Sequence, residues 1–83
     1  MPDREQIHRD VMRLVAEIAE IPEDRVTATS TFKELGIDSL NGLRIAAEME
    51  VRFGINIPDE VITKIGSLAD VLSLADRYIG EKE

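Results

Sequence analysis

The sequence predicts a small all-α bundle of three main helices plus one short helix, with a long loop between helices 1 and 2. Three observations carry this. Apolar residues recur at spacings of three and four in three separate stretches, the pattern of a helix with one face turned to a core. No stretch alternates apolar with polar residues as a half-buried strand does. The 83 residues hold no Pro/Gly/Ser-rich linker, repeat or low-complexity tract, which makes residues 1–83 one domain. A domain of this size buries only roughly 60% of the surface its unfolded chain exposes. Its core is thin, and a walled active site has little room.

The first helix rests on Ile7, Val11, Leu14 and Ile18, which form one apolar stripe. Asp3 followed by Gln6 makes a capping-box start, and Pro22 marks the stop. Residues 21–37 then form the loop. It is rich in Thr, Ser and Asp, yet Ile21, Val26, Phe32 and Leu35 tie it to the core, with one short turn at 32–35. A loop this long in a compact domain is uncommon and often functional. The second helix starts at Asp38 or Ser39 and runs to about Phe53. Leu40, Leu43, Ala47 and Val51 give its inward stripe, widened by Met49 and Phe53, and Gly54 ends it. Pro58 biases Ile57 away from helix, so INIP is an extended link. A short third helix covers about 59–65, and Gly66 breaks it. Ser67 and Asp70 open the last helix as a second capping box. That helix carries Leu68, Val71, Leu72, Ala75, Tyr78 and Ile79, with Gly80 and a charged tail closing the chain.

Net charge is −7 and the isoelectric point is near 4.6. Nucleic-acid phosphates require a basic face, so nucleic acid is excluded as a partner. With no cysteine there is no disulfide and no thiolate metal site, and no metal-ligand constellation is visible. The charged N-terminus lacks the apolar run of a secretory signal. No apolar stretch approaches the roughly 20 residues that span a bilayer. The sequence therefore predicts a soluble, cytoplasmic monomer that does not engage a membrane. Met1 and the charged tail favour a free-standing protein over an excised domain.

The stretch LGIDSL, residues 35–40, places Ser39 where loop becomes helix. Three roles fit such a serine. As a cap, its side chain would accept a free backbone N–H of the first turn. As a hydrolytic nucleophile it would need a base, but the one histidine, His8, sits at the start of the first helix and reads as a solvated surface residue. As a modification site it would lie in the positive end of the helix dipole, among N–H groups that favour a phosphate. The residues alone leave all three open.

Three features occur together and in order: Leu35-Gly36-x-Asp38-Ser39-Leu40, Phe53-Gly54-x-x-Ile57-Pro58, and Ile65-x-Ser67-Leu68-x-Asp70-Val71. In this the chain resembles the acyl carrier protein family, from about Ile7 to Tyr78. The resemblance implies a carrier and not an enzyme. A partner phosphopantetheinyl transferase would attach 4′-phosphopantetheine to Ser39. The thiol of that arm, absent from the chain itself, would carry acyl groups as thioesters between acyl-transferring and condensing enzymes. It further implies that Asp38 helps the transferase hold coenzyme A and its metal ion, that Leu40 packs against the transferase or later partners, and that Gly36 supplies the tight turn displaying Asp38 and Ser39. Each has a structural counterpart: Asp38 as N-cap, Leu40 as core, Gly36 as turn. An aminoacyl or peptidyl carrier, or an unmodified helical interaction domain, would share the fold.

The resemblance to carriers of fatty acid synthesis thins at helix 2, which in those systems is dense with acids that basic partners read. Here 38–53 carries Asp38, Glu48 and Glu50 against Arg44 and Arg52, a net of −1. That points to a dedicated pathway, such as polyketide or other specialised acyl assembly. Gly42 is also unusual inside a helix, where glycine costs about 1 kcal/mol relative to alanine; it either admits a partner or the arm, or is tolerated near the helix end. Leu43, Ala47, Met49, Ile57, Ile62, Ile65, Leu68 and Leu72 face the gap between helices 2 and 3, as ordinary core or as walls for an attached chain.

Overall fold

The computed structural model describes residues 3–79; Gly80 and the charged tail lie outside the described residues. Helix α1 spans Arg4–Ala19. The Asp3 carboxylate accepts the Gln6 backbone N–H at 2.8 Å, but the Gln6 side chain donates to Asp10 at 3.0 Å instead of reaching back. The expected capping box is therefore half formed. Glu20 ends the helix in the left-handed conformation, φ 58°, and the Ile21 N–H closes on the Ala16 carbonyl at 3.1 Å. Pro22 then prevents continuation.

The long connection is more structured than its composition suggests. One tight turn covers Glu23–Arg25, and helix α2 is the single turn Phe32–Leu35. Thr31 and Glu34 cap α2 reciprocally: the Thr31 hydroxyl accepts the Glu34 N–H, and the Glu34 carboxylate accepts the Thr31 N–H. The Thr31 backbone N–H and then its hydroxyl hold the exposed Glu34 carboxyl below its ordinary pKa. Phe32 N–H donates to the Gly66 carbonyl at 3.0 Å and Leu68 N–H to the Ser30 carbonyl at 2.9 Å. These two bonds fasten the loop to the start of the last helix and form one isolated bridge, Thr31 to Ser67. No strand occurs among the described residues.

Helix α3 spans Ser39–Phe53, with Gly54 in the left-handed conformation at its end, φ 65°. The Ile57 N–H donates to the Glu50 carboxylate at 2.9 Å, which anchors the extended link. Helix α4 is Asp59–Ile62, shorter than expected, because residues 63–64 continue only as a turn. Helix α5 is Leu68–Leu74, capped by Ser67, and Ala75–Ile79 continue it as wider π turns. Asp70 returns its side chain to the Gly66 N–H at 2.9 Å, one residue short of the expected reciprocal bond.

The core is built from α1, α3 and α5, with Val11, Leu14, Val15, Ile45, Met49, Leu68 and Val71 fully enclosed. The inward face of α3 is not the expected one. Ile45, Ala46 and Met49 are buried, with Phe53 half-buried, whereas Leu40, Leu43, Ala47 and Val51 are exposed. Leu43 and Ile45 lie about 200° apart around the helix axis at 3.6 residues per turn. The helix thus carries two apolar stripes, and the core built on α1 covers only one. His8 also differs from expectation. It is half-buried, and its Nε2 lies 2.7 Å from Asp76 Oδ1, while Arg4 reaches Asp76 Oδ2 at 2.9 Å. Burial pushes the Asp76 carboxyl up, but hydrogen bonds from His8 and Arg4, with their charges, outweigh it and hold the pKa below its ordinary value.

Candidate functional site

The turn between α2 and α3 presents the site. Gly36 ends α2 at φ 73°, a conformation that glycine adopts without penalty. Ile37, buried, pins the turn to the core and donates its N–H to the Phe32 carbonyl at 2.8 Å. Asp38 is the N-cap of α3: its Oδ1 accepts the Asn41 N–H at 2.8 Å and its carbonyl accepts the Gly42 N–H at 2.9 Å. Its Oδ2 has no hydrogen-bond partner among the described residues. Ser39 is the first helical residue and is exposed. Its hydroxyl takes no part in capping, because Asp38 performs that role. The N–H groups of Ser39 and Leu40 likewise have no acceptor among the described residues, as befits a first turn.

Beside Ser39 opens a cavity of about 360 Å³, lined by Phe32, Ile37, Asp38, Ser39, Gly42, Leu43, Ile62, Thr63, Ile65 and Gly66. Of the residues expected to face this gap, Leu43, Ile62 and Ile65 line it. Met49, Ile57, Leu68 and Leu72 belong to the closed core, and Ala47 faces outward. Phe32, Ile37, Thr63 and Gly66 were not foreseen as walls. They come from the loop and from the turn after α4, and only their apolar or turn-forming character hinted at a packed position. A methyl group at Gly42 would lie 3.4 Å from the Phe32 ring, an ordinary contact, so packing against Phe32 does not require glycine at this wall position.

An exposed helix-start hydroxyl fits a phosphodiester. It has free N–H groups beside it, the positive end of a fifteen-residue helix behind it and open space around it. No group of three or more metal-ligating side chains occurs among the described residues. His8, bonded to Asp76, does not line the cavity. Fold and site together are those of a small carrier domain, a bundle that displays one serine beside an apolar cleft.

Comparison with known proteins points the same way. The family described as "Phosphopantetheine attachment site" matches residues 9–75. The mitochondrial acyl carrier protein of Dictyostelium discoideum is 44% identical over 63 residues, covering 76% of this chain and 52% of that protein. The chain thus spans about half the length of that relative. The acyl carrier protein of Rickettsia bellii is 36% identical over 70 residues, 83% of this chain and 81% of that one. The solved actinorhodin holo acyl carrier protein from S. coelicolor superposes with a TM-score of 0.71 at 28% identity, over 89% of this chain and 91% of that one. The chain belongs to the acyl carrier protein family. Acyl carrier proteins are carriers and not enzymes, and the family's prosthetic group is a covalently attached 4′-phosphopantetheine. Phosphopantetheinyl transferase and acyl-handling enzymes are the family's partners. No helix among the described residues is long and apolar enough to cross a membrane.

Proposed function

We propose that Ser39 is the attachment residue and that residues 1–83 act as a single acyl carrier domain. The observation that supports this best is the division of labour at the head of α3. Asp38 caps the helix, so the exposed Ser39 hydroxyl is left without a structural task. The first-turn N–H groups favour the phosphate, and the free Asp38 Oδ2 is positioned to help a transferase hold coenzyme A and its metal ion. Leu40, 67% exposed, offers that enzyme an apolar contact, and Gly36 sets the turn. When bound, the arm supplies the thiol that the chain lacks and holds acyl groups as thioesters.

We further place the chain in a dedicated pathway of polyketide or other specialised acyl assembly. The nearly neutral charge of residues 38–53 supports this, and so does the likeness to the actinorhodin carrier. Fatty acid synthesis is the alternative, favoured by the likeness to the Rickettsia protein. A monomer without nucleic-acid or membrane partners, located in the cytoplasm, completes the reading. The mitochondrial relative makes an organelle the competing location, and cell fractionation separates the two.

Intact mass after treatment with coenzyme A and a broad-specificity phosphopantetheinyl transferase tests the attachment. The native chain gains one arm, and Ser39→Ala, which leaves the Asp38 cap in place, stays helical by circular dichroism and gains none. A native chain that stays bare would overturn the reading, as would a Ser39→Ala chain that still gains mass. Cargo on the protein from its own source then separates acyl from aminoacyl or peptidyl carriage.

A further inference from the structure

The second apolar stripe of α3 has a charge pattern of its own. Leu40 is 67% exposed, Leu43 50% and Val51 79%, and Ala47 lies open between them. Each acid of this segment has a partner on at least one oxygen, with Asp38 Oδ2 left open at the head of the helix. The Asp38 carboxylate caps the helix, Glu48 lies 3.5 Å from Arg52, and Glu50 accepts the Ile57 N–H. Arg52 also pairs with Glu17 at 3.2 Å. Arg44 alone among the charged residues of α3 has no hydrogen bond or ion pair among the described residues. It stands exposed inside the stripe, one turn beyond Leu40.

We propose that Arg44 is a specificity-determining residue, selecting partner proteins that present a carboxylate within an apolar surface to the Leu40–Leu43–Ala47–Val51 stripe. This deepens the reading of Ser39 as attachment residue and rests on it, since an enzyme reaching Ser39 must approach this end of α3. A guanidinium in an apolar surround is poorly suited to a basic partner. Docking would desolvate it against a like charge, a costly arrangement. A carboxylate instead forms a planar, two-bond pair with it, and the attraction strengthens as the apolar stripe excludes water. Glu48 and Glu50 have partners of their own, so within the stripe itself a basic docking surface would meet Arg44 and no acid. The partner chemistry is therefore opposite to that of carriers read through an acidic helix.

The test uses the isotope-labelled chain and two helical peptides with the same leucine stripe, one flanked by Glu and the other by Lys. Binding is followed residue by residue in NMR spectra at moderate salt, where distant charges are screened beyond about 8 Å. The Glu peptide is expected to shift the amides of Leu40, Leu43, Arg44, Ala47 and Val51 and to bind there about two- to five-fold more tightly than the Lys peptide, the size of one exposed ion pair. Arg44→Glu reverses the order, and Val51→Ser weakens both peptides without reversing it. The proposal is overturned if the Lys peptide wins at this stripe, if neither peptide touches it, if Arg44→Glu leaves the order unchanged, or if the chain self-associates through the stripe. The titration needs no arm, so its failure leaves the Ser39 assignment standing. Failure of that assignment shows separately as a missing mass gain.

Discussion

On one side of α3, Ile45, Ala46 and Met49 are wholly withdrawn from water; on the other, Leu40, Leu43 and Val51 keep between 50% and 79% of their exposure. Both sides are apolar, and both belong to one fifteen-residue helix. What separates them is their neighbours. The inner side enters the core, where α3 packs chiefly on α1, and the outer side is open to solvent and to the cavity beside Ser39. A domain this small has few apolar residues to spare for its surface. Leaving three large ones exposed along the helix that begins at the serine is coherent if that surface is meant to be covered by others.

The sharpest way to break this contrast is to truncate each side in turn. Met49→Ala on the inner side removes a fully buried side chain and should destabilise the domain by about 2–5 kcal/mol. That is a large part of the 5–15 kcal/mol typical of whole domains, and it is read as a lowered urea midpoint. If the loss were small, α3 would not be anchored through this side.

A smaller effect belongs to the link between the chain's two ends. The Asp76 pKa is depressed in the folded state, so its contribution to stability is fully present above the ordinary carboxylate value near 4. That contribution is lost as pH falls through the lower folded value. Thermal unfolding followed from neutral pH to about pH 3 should show a falling midpoint, and Asp76→Asn should flatten that slope. An unchanged slope would mean that Arg4 and His8 do not hold this carboxylate in solution.

Next comes Gly42, at the border between the two sides. A methyl group there meets the Phe32 ring at ordinary contact distance, so Gly42→Ala should raise stability by about 1 kcal/mol through helix propensity alone. Destabilisation would mean that Phe32 sits closer to α3 than described. Smallest of all, Val51→Ser on the outer side should change stability by less than about 0.5 kcal/mol, while weakening whatever docks there.

How far these features could be read in advance follows from their range along the chain. The caps at Asp3 and Ser67, the glycine stop at Gly54 and the extents of α1 and α3 depend on residues within one turn of each other, and all were visible. The turn that carries the candidate site was visible too, because Gly36, Asp38, Ser39 and Leu40 fall within five consecutive positions. The orientation of α3 was not. Its two stripes have the same period, and only tertiary packing, chiefly on α1, chooses between them. His8 and Asp76 lie 68 positions apart, which no local pattern connects. The cavity walls Phe32, Thr63 and Gly66 come from separate segments that the Ser30, Phe32, Gly66 and Leu68 backbone bonds draw together. The π turns at Ala75–Ile79 have no signal in the sequence that we can identify.

Carriage turns on one hydroxyl, and the most direct measurement is fragmentation mass spectrometry of the intact protein purified from its own source. The added mass of one phosphopantetheine, with or without cargo, should map to Ser39. A chain that is bare in the cell, or an arm carried on any other residue, would contradict it.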